Sequence, residues 1–307
     1  MNILWFLVSG LISLGGLAFL VTAQMRRYRK LSEHPWRDVF SHKLTMIVYC
    51  LLRLLVIFAL VRGLFRQDFE SVVYCALVLV LFGMPMVLEN RLQVELSPVM
   101  EVVILLFIYA AEILGEVENY YTLVPGWDTA LHTMNGFLCA AIGFALVDML
   151  NRSESVSLKL SPFFVAVVAF CFSMTVGVIW EFMEYSADTF LGLDAQKDFV
   201  IRAFHSVTLD VTNSQIPVGV SDIVRTVIET ADGQQIVIEG GYLDIGIIDT
   251  MKDLMVNCVG ALIFSLMGYL GLKRGKESPL ARAFVPLVKT PKDILREAGR
   301  EDVPKDQ

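Results

Sequence analysis

Residues 162–185 read PFFVAVVAFCFSMTVGVIWEFMEY: an uncharged run from Pro162 to Trp180, then Glu181 and Glu184. A helix of roughly 20 apolar residues spans the ~30 Å hydrocarbon core of a bilayer. The run is continuous rather than alternating, so it reads as a helix and not as a barrel strand. Six further apolar segments accompany it, at about 3–23, 44–64, 71–89, 98–115, 128–150 and 249–272. Of the 307 residues 55% are hydrophobic and 19% charged, and the mean hydropathy is +0.61. This composition selects an integral membrane protein. The expected fold class is all-α: a polytopic transmembrane helical bundle of about seven spans, with a small extracytoplasmic insertion that contains a β-hairpin.

Several classes are excluded or unsupported. A basic stripe with interleaved aromatics is missing, so nucleic acid is not an expected partner. Cys50, Cys75, Cys139, Cys171 and Cys258 all lie in apolar segments without a CxxC spacing, so neither a disulfide framework nor a zinc–thiolate site is indicated. The N-terminus lacks a basic n-region and reads as a retained first span.

Lys and Arg sort by connection, which sets the expected orientation. Residues 24–43 carry Arg26, Arg27, Arg29, Lys30, Arg37 and Lys43, and the tail opens with Lys273, Arg274 and Lys276. Arg152, Lys159 and Arg91 fall on the same side, whereas 116–127 has neither residue type. The expected arrangement is a multi-pass cell-membrane protein with its N-terminus outside and its C-terminus cytoplasmic. The chain divides into an N-terminal three-span part (1–97), a transmembrane core (98–185 and 249–272), an extracytoplasmic insertion (186–248) and a cytoplasmic tail (273–307). Within the insertion, two β-branched runs flank Asp232-Gly233, a hairpin signal. Gln196 to Val207 reads as a short amphipathic helix over the bundle mouth.

Glu181 and Glu184 are not the only ionisable groups in spans. Asp128 and His132 open the segment at 128, and Asp249 and Asp253 open the one at 249. Such groups are costly at membrane depth and face a bundle interior, a partner or a cavity. The loop charges place all three sets in one leaflet. Spacings of i, i+3 and i+4 put each set on one helical face. Asp128, His132, Glu181, Glu184, Asp249 and Asp253 are therefore candidate ligands for a divalent metal cation of unknown identity. His132, Glu181 and Glu184 are candidate catalytic acid–base groups. Plainer roles stand beside these: Asp128 and Asp249 as helix caps, Asp188 as a solvated interfacial group, His132 as a hydrogen-bonded core residue, and Asn135 and Asn257 as interhelical glue. Mid-span Arg53 calls for a buried partner such as Glu101 or Glu181, while Arg62 suits headgroups.

The segments Asp128-x₃-His132-x₃-Gly136, Trp180-Glu181-x₂-Glu184 and Asp249-Thr250-Met251-x-Asp253-Leu254 resemble, in order and spacing, the YjdF-type family of bacterial multi-pass membrane proteins, itself distantly similar to VanZ-like proteins. The resemblance covers roughly 100–272. In the family a short Gly-containing link joins the last two motifs; here about 50 further residues intervene after Phe190 to Asp198. Either Asp194 and Asp198 or Asp249 and Asp253 then take the family's acidic positions, and the longer motif match favours the latter. The resemblance implies a shared polar site but no activity. The leading functional expectation is a metal-dependent hydrolase or transferase acting on a lipid-linked or envelope substrate. The alternatives are a cation- or proton-coupled transporter, and a structural or regulatory partner that docks through the insertion. Expected partners are membrane lipids and a lipid-linked or ionic substrate.

Overall fold

A computed structural model describes residues 36–92, 94–152, 160–274 and 287–288. The expected span at 3–23 and most of the tail lie outside the described residues. Within them, six helices are long and apolar enough to cross a membrane, and every strand pairing is a small two-stranded one. The bundle is all-α, as the apolar runs require.

The helices are α1 (Trp36–Arg66), α2 (Phe69–Leu81), α3 (Met84–Leu92), α4 (Pro98–Ile108), α5 (Tyr120–Leu123), α6 (Trp127–Arg152), α7 (Pro162–Leu191) and α8 (Ile247–Arg274). Their ends follow local chemistry. Ser97 and Ser161 each accept a backbone N–H three residues on, from Met100 and Phe164, and each precedes a proline at the first helical position. That combination satisfies one orphan donor and omits another. Gly192 ends α7 in the left-handed conformation, φ +66°. α4 continues as a π-helix over Tyr109–Val117. Such wider turns are rare, mostly single-turn bulges within α-helices, and are frequent at functional sites. Its Gly115 leaves room for the Tyr121 ring, which an added Cβ would meet at 2.3 Å.

α6, α7 and α8 pack pairwise against one another, while α1 packs on α2 and α4. Between lipid-embedded helices the drive is close van der Waals packing, which favours small residues. An ideal Cβ on Gly136 of α6 would lie 2.1 Å from the Asn257 carbonyl oxygen, and one on Gly260 of α8 would lie 1.9 Å from that of Thr133. The two helices therefore meet backbone to backbone. Below this crossing, Phe264 stacks edge-on against Phe137 at 5.1 Å and Phe144 at 5.9 Å. Exposed apolar side chains such as Phe58, Phe65, Val80 and Phe163 cover the outer surface, as a lipid-facing bundle demands.

The first-half helix expected over Gln196–Val207 is replaced by strands. β1 (Val200–Ile201) pairs antiparallel with β6 (Tyr242–Leu243), and β2 (Phe204–Ser206) with β3 (Val218–Val220). Partners distant in sequence supply backbone hydrogen bonds that outweigh the local helical pattern. The Asp-Gly hairpin forms where expected, β4 (Arg225–Glu229) against β5 (Gln235–Glu239), with Gly233 at φ +84°.

Two basic residues also find protein partners. Arg62 pairs with Glu118 at 2.5 Å instead of headgroups. Arg53 lies 4.5 Å from the Tyr49 ring centroid and donates to the Leu79 carbonyl at 3.4 Å.

The insertion is tied to the bundle through Asp244. Its carboxylate accepts the N–H of Phe199 at 2.6 Å and that of Ile248, in the first turn of α8, at 2.8 Å. It thus caps α8 and anchors the loop together. Asp244→Ala is expected to cost about 1–2 kcal/mol, the range of a lost cap. A lowered midpoint in thermal unfolding of the detergent-solubilised protein checks this; an unchanged midpoint contradicts the capping role.

Candidate metal centre

Pro125 and Gly126, the latter at φ +77°, turn the chain into α6, so that Asp128 falls in the first helical turn and His132 one turn deeper. α7 brings Glu181 and Glu184 to the same end, and α8 brings Asp249 and Asp253. The imidazole of His132 stands at the centre. Its Nε2 is 3.4 Å from Asp128 Oδ1 and 3.8 Å from Asp253 Oδ2, while Nδ1 is 4.0 Å from Glu181 Oε1. Asp128, His132 and Asp253 each offer one ligand atom, and these atoms all lie within 4.8 Å of one another. The group is largely shielded: side-chain exposure is 12% for His132, 5% for Glu181 and 4% for Asp253, against 35% for Asp128. Access is therefore from the Asp128 side.

The six acidic and imidazole candidates separate by what else they touch. Glu184 Oε1 accepts the Trp180 indole N–H at 2.7 Å, one turn back on the same helix. Asp249 Oδ2 accepts the backbone N–H of Lys197 at 2.8 Å; α8 already begins at Ile247, so Asp249 sits inside it and the cap is Asp244. Glu181 Oε2 is buried and has no hydrogen-bond partner. Asp188 accepts the N–H groups of Ala195 and Gln196 at 2.5 and 2.9 Å, holding the chain as it leaves α7. Asp194 is 67% exposed beside Lys197, and Asp198 is exposed as well. Of the two acidic pairs left open by the interrupted motif, only Asp249 and Asp253 reach the histidine's end of the bundle interior.

The floor of the site is a polar network. Fully buried Asn257 accepts from the Asn135 amide at 3.2 Å and donates to the Ser173 carbonyl at 3.5 Å. The Ser173 hydroxyl donates to the Gly136 carbonyl at 2.7 Å. Asn257 thus links α6, α7 and α8 one turn below Asp253. Both asparagines serve as interhelical glue. Beneath them the Phe137, Phe144 and Phe264 rings close the polar column.

Three further contributors were given no role at the site from the sequence. Thr250 faces the Glu181 carboxylate and also accepts from the Gln196 side-chain amide. Tyr121, on the short α5, lies within electrostatic reach of Asp128 and Glu184 and of Glu112 and Glu116 in the π-helical turn. Burial, reinforced by these carboxylates, pushes its phenol well above the ordinary range, so it stays a neutral donor. Thr250 stood in the third family-like segment, and Asp244 left a readable trace of its own, an acidic residue shortly before an apolar helix start.

Buried carboxylates without enough donors carry a desolvation cost that a cation offsets. Two aspartates and an imidazole, all from helices, form a donor set that suits Mg²⁺, Mn²⁺, Zn²⁺ or iron better than a soft metal. The residues present fit such an ion.

Comparison with curated proteins and with solved structures finds no match. A family model described as predicted membrane protein (DUF2238) matches residues 47–274, from the body of α1 to the end of α8 and therefore beyond the segments whose motifs carry the resemblance. The chain belongs to this YjdF-type family of predicted membrane proteins, whose function is uncharacterised.

Proposed function

We propose that the protein is a metal-dependent membrane enzyme, a hydrolase or transferase, in which Asp128, His132 and Asp253 hold a divalent cation. The observation that carries this reading is the use of both His132 nitrogens. Nε2 faces two aspartates from different helices, while Nδ1 faces a buried glutamate that has one oxygen unpartnered. A carboxylate behind a ligating histidine fixes the ring's tautomer and orientation. Glu181 has that relation to His132.

A cation there supplies Lewis acidity toward a phosphoryl or carbonyl oxygen, or a more acidic bound water. Asp128, the most accessible member, borders the entrance. Glu184, held by Trp180, and Tyr121, a neutral donor, flank it and can handle protons. The loop charges favour an extracytoplasmic position for this end, which suits a lipid-linked or envelope substrate whose headgroup lies at the interface. The aromatic closure below Asn257 favours a one-ended site over a cation or proton conduit.

The test is turnover by protein reconstituted in vesicles with Mn²⁺ and a panel of phospholipids and lipid-linked pyrophosphates. Headgroup or phosphate release is expected, abolished by chelator and by His132→Ala. Release that survives both treatments contradicts the reading. Histidine-dependent cation flux without release replaces it with transport.

A further inference from the structure

We propose that residues 194–199 form a lid latched over the carboxylate–histidine site, and that Asp249, which holds the latch, releases it when a divalent cation enters. The second half of this statement rests on the cation site proposed above; the first half does not.

The segment leaves α7 at Gly192 and crosses to α8 without forming a regular element of its own. Its backbone donors are taken by carboxylates instead. Asp188 accepts from Ala195 and Gln196, Asp249 from Lys197 and Asp244 from Phe199. Side chains add to the hold: Gln196 donates to the Thr250 hydroxyl, and the Lys252 ammonium lies 3.8 Å from the Phe199 ring centroid. Gly246, at φ +85°, lets the chain approach closely, since an added Cβ would lie 2.7 Å from Cβ of Gln196.

Two of these fastenings belong to the site as much as to the lid. Thr250 lies between Gln196 and Glu181. Asp249 sits one helical turn before Asp253, on the same face of α8, and is within electrostatic reach of Asp128 and His132. Asp188 and Asp244, by contrast, lie outside the cluster and hold the two ends of the segment. The geometry is that of a strap with two fixed ends and a middle fastened by site residues. A cation beside Asp253 attracts the Asp249 carboxylate away from the Lys197 N–H. The middle of the strap then loosens while its ends stay anchored. A ligand can shift a conformational equilibrium only through differential affinity for the two states, and the carboxylate shared by lid and site provides that difference.

Hydrogen exchange of the full chain in detergent, followed by mass spectrometry, tests both halves. In the metal-free protein the Gln196, Lys197 and Phe199 amides are expected to be protected. Asp249→Ala should speed exchange of the Lys197 amide about tenfold, the scale of one lost charge-assisted hydrogen bond, with the 225–239 hairpin unaffected. Gln196→Ala, which alters no site residue, should give a smaller increase of the same kind and guards against a folding defect in the first variant. Adding Mn²⁺ should speed exchange in the wild type and not in Asp249→Ala, with Mn²⁺ binding followed separately by electron paramagnetic resonance. Unprotected amides in the metal-free wild type, or protection unchanged in both variants, overturn the latch. Bound Mn²⁺ with unchanged exchange overturns the coupling and leaves the cation site standing. Failure of Mn²⁺ to bind overturns the cation site and with it the release, while the variants still decide the latch.

Discussion

Gly260→Ala is expected to weaken the bundle more than any other single-methyl addition at its helix contacts. The new Cβ would lie 1.9 Å from the Thr133 carbonyl oxygen and 2.9 Å from the Phe137 backbone nitrogen. Both are main-chain atoms of α6, so no rotamer change relieves the overlap, and α8 must move bodily away. Overpacking of this kind costs about 3 kcal/mol, the upper part of its usual range. Gly136→Ala meets the Asn257 carbonyl oxygen at 2.1 Å and should follow closely. Gly268→Ala meets only the Phe144 ring, at 2.6 Å, and a ring can tilt. The expected order of loss in thermal unfolding is Gly260, Gly136, then Gly268. Gly136 and Gly260 share one helix crossing, so their double variant should lose less than the sum. An unchanged melting point for Gly260→Ala contradicts the close crossing that places Asp253 beside His132.

Removing a ligand should have the larger effect on cation affinity, and its size should sort the carboxylates. Asp253→Ala and Asp128→Ala each delete one of two carboxylates facing Nε2 of His132, and each should reduce Mn²⁺ affinity by at least about 100-fold. Glu181→Gln keeps the shape of the side chain but weakens the acceptor behind Nδ1. Loss of such an outer partner typically costs 10–100-fold. Glu184→Gln should fall below both, because Glu184 Oε1 is engaged by Trp180. Titration of purified protein with Mn²⁺ gives the four affinities. A Glu184 variant weaker than the Asp253 variant would reverse the assignment of roles.

Much of this was legible in the residues. The uncharged run from Pro162 to Trp180 reads as a span, and Glu181 directly after it is the acidic group hardest to explain by a bland structural role. The i, i+4 spacing of Asp128 and His132, with loop charges that put three helix ends in one leaflet, anticipated the meeting of α6, α7 and α8. Other features have no local signature. In the π-helix at Tyr109–Val117 each hydrogen bond reaches one residue further than in an α-helix, a difference that leaves composition unchanged. The expected helix over Gln196–Val207 lost to strands because Val200 and Ile201 pair with Tyr242 and Leu243, some 40 residues away. Asp249 read as a cap or a ligand, and its bond to the Lys197 N–H depends on a chain path that no spacing encodes. Glu184 read as an equal of Glu181, yet Trp180 at i−4 engages it.

Asp128 and His132 of α6 and Asp253 of α8 are the proposed ligands of a divalent cation. Mn²⁺ bound per chain, followed by electron paramagnetic resonance in metal-free protein and in Asp253→Ala, each shown by thermal unfolding to be folded, tests that site most directly. One tightly bound ion is expected in the wild type and none in the variant. A wild type that binds no ion, or a variant that binds it equally well, rules the site out.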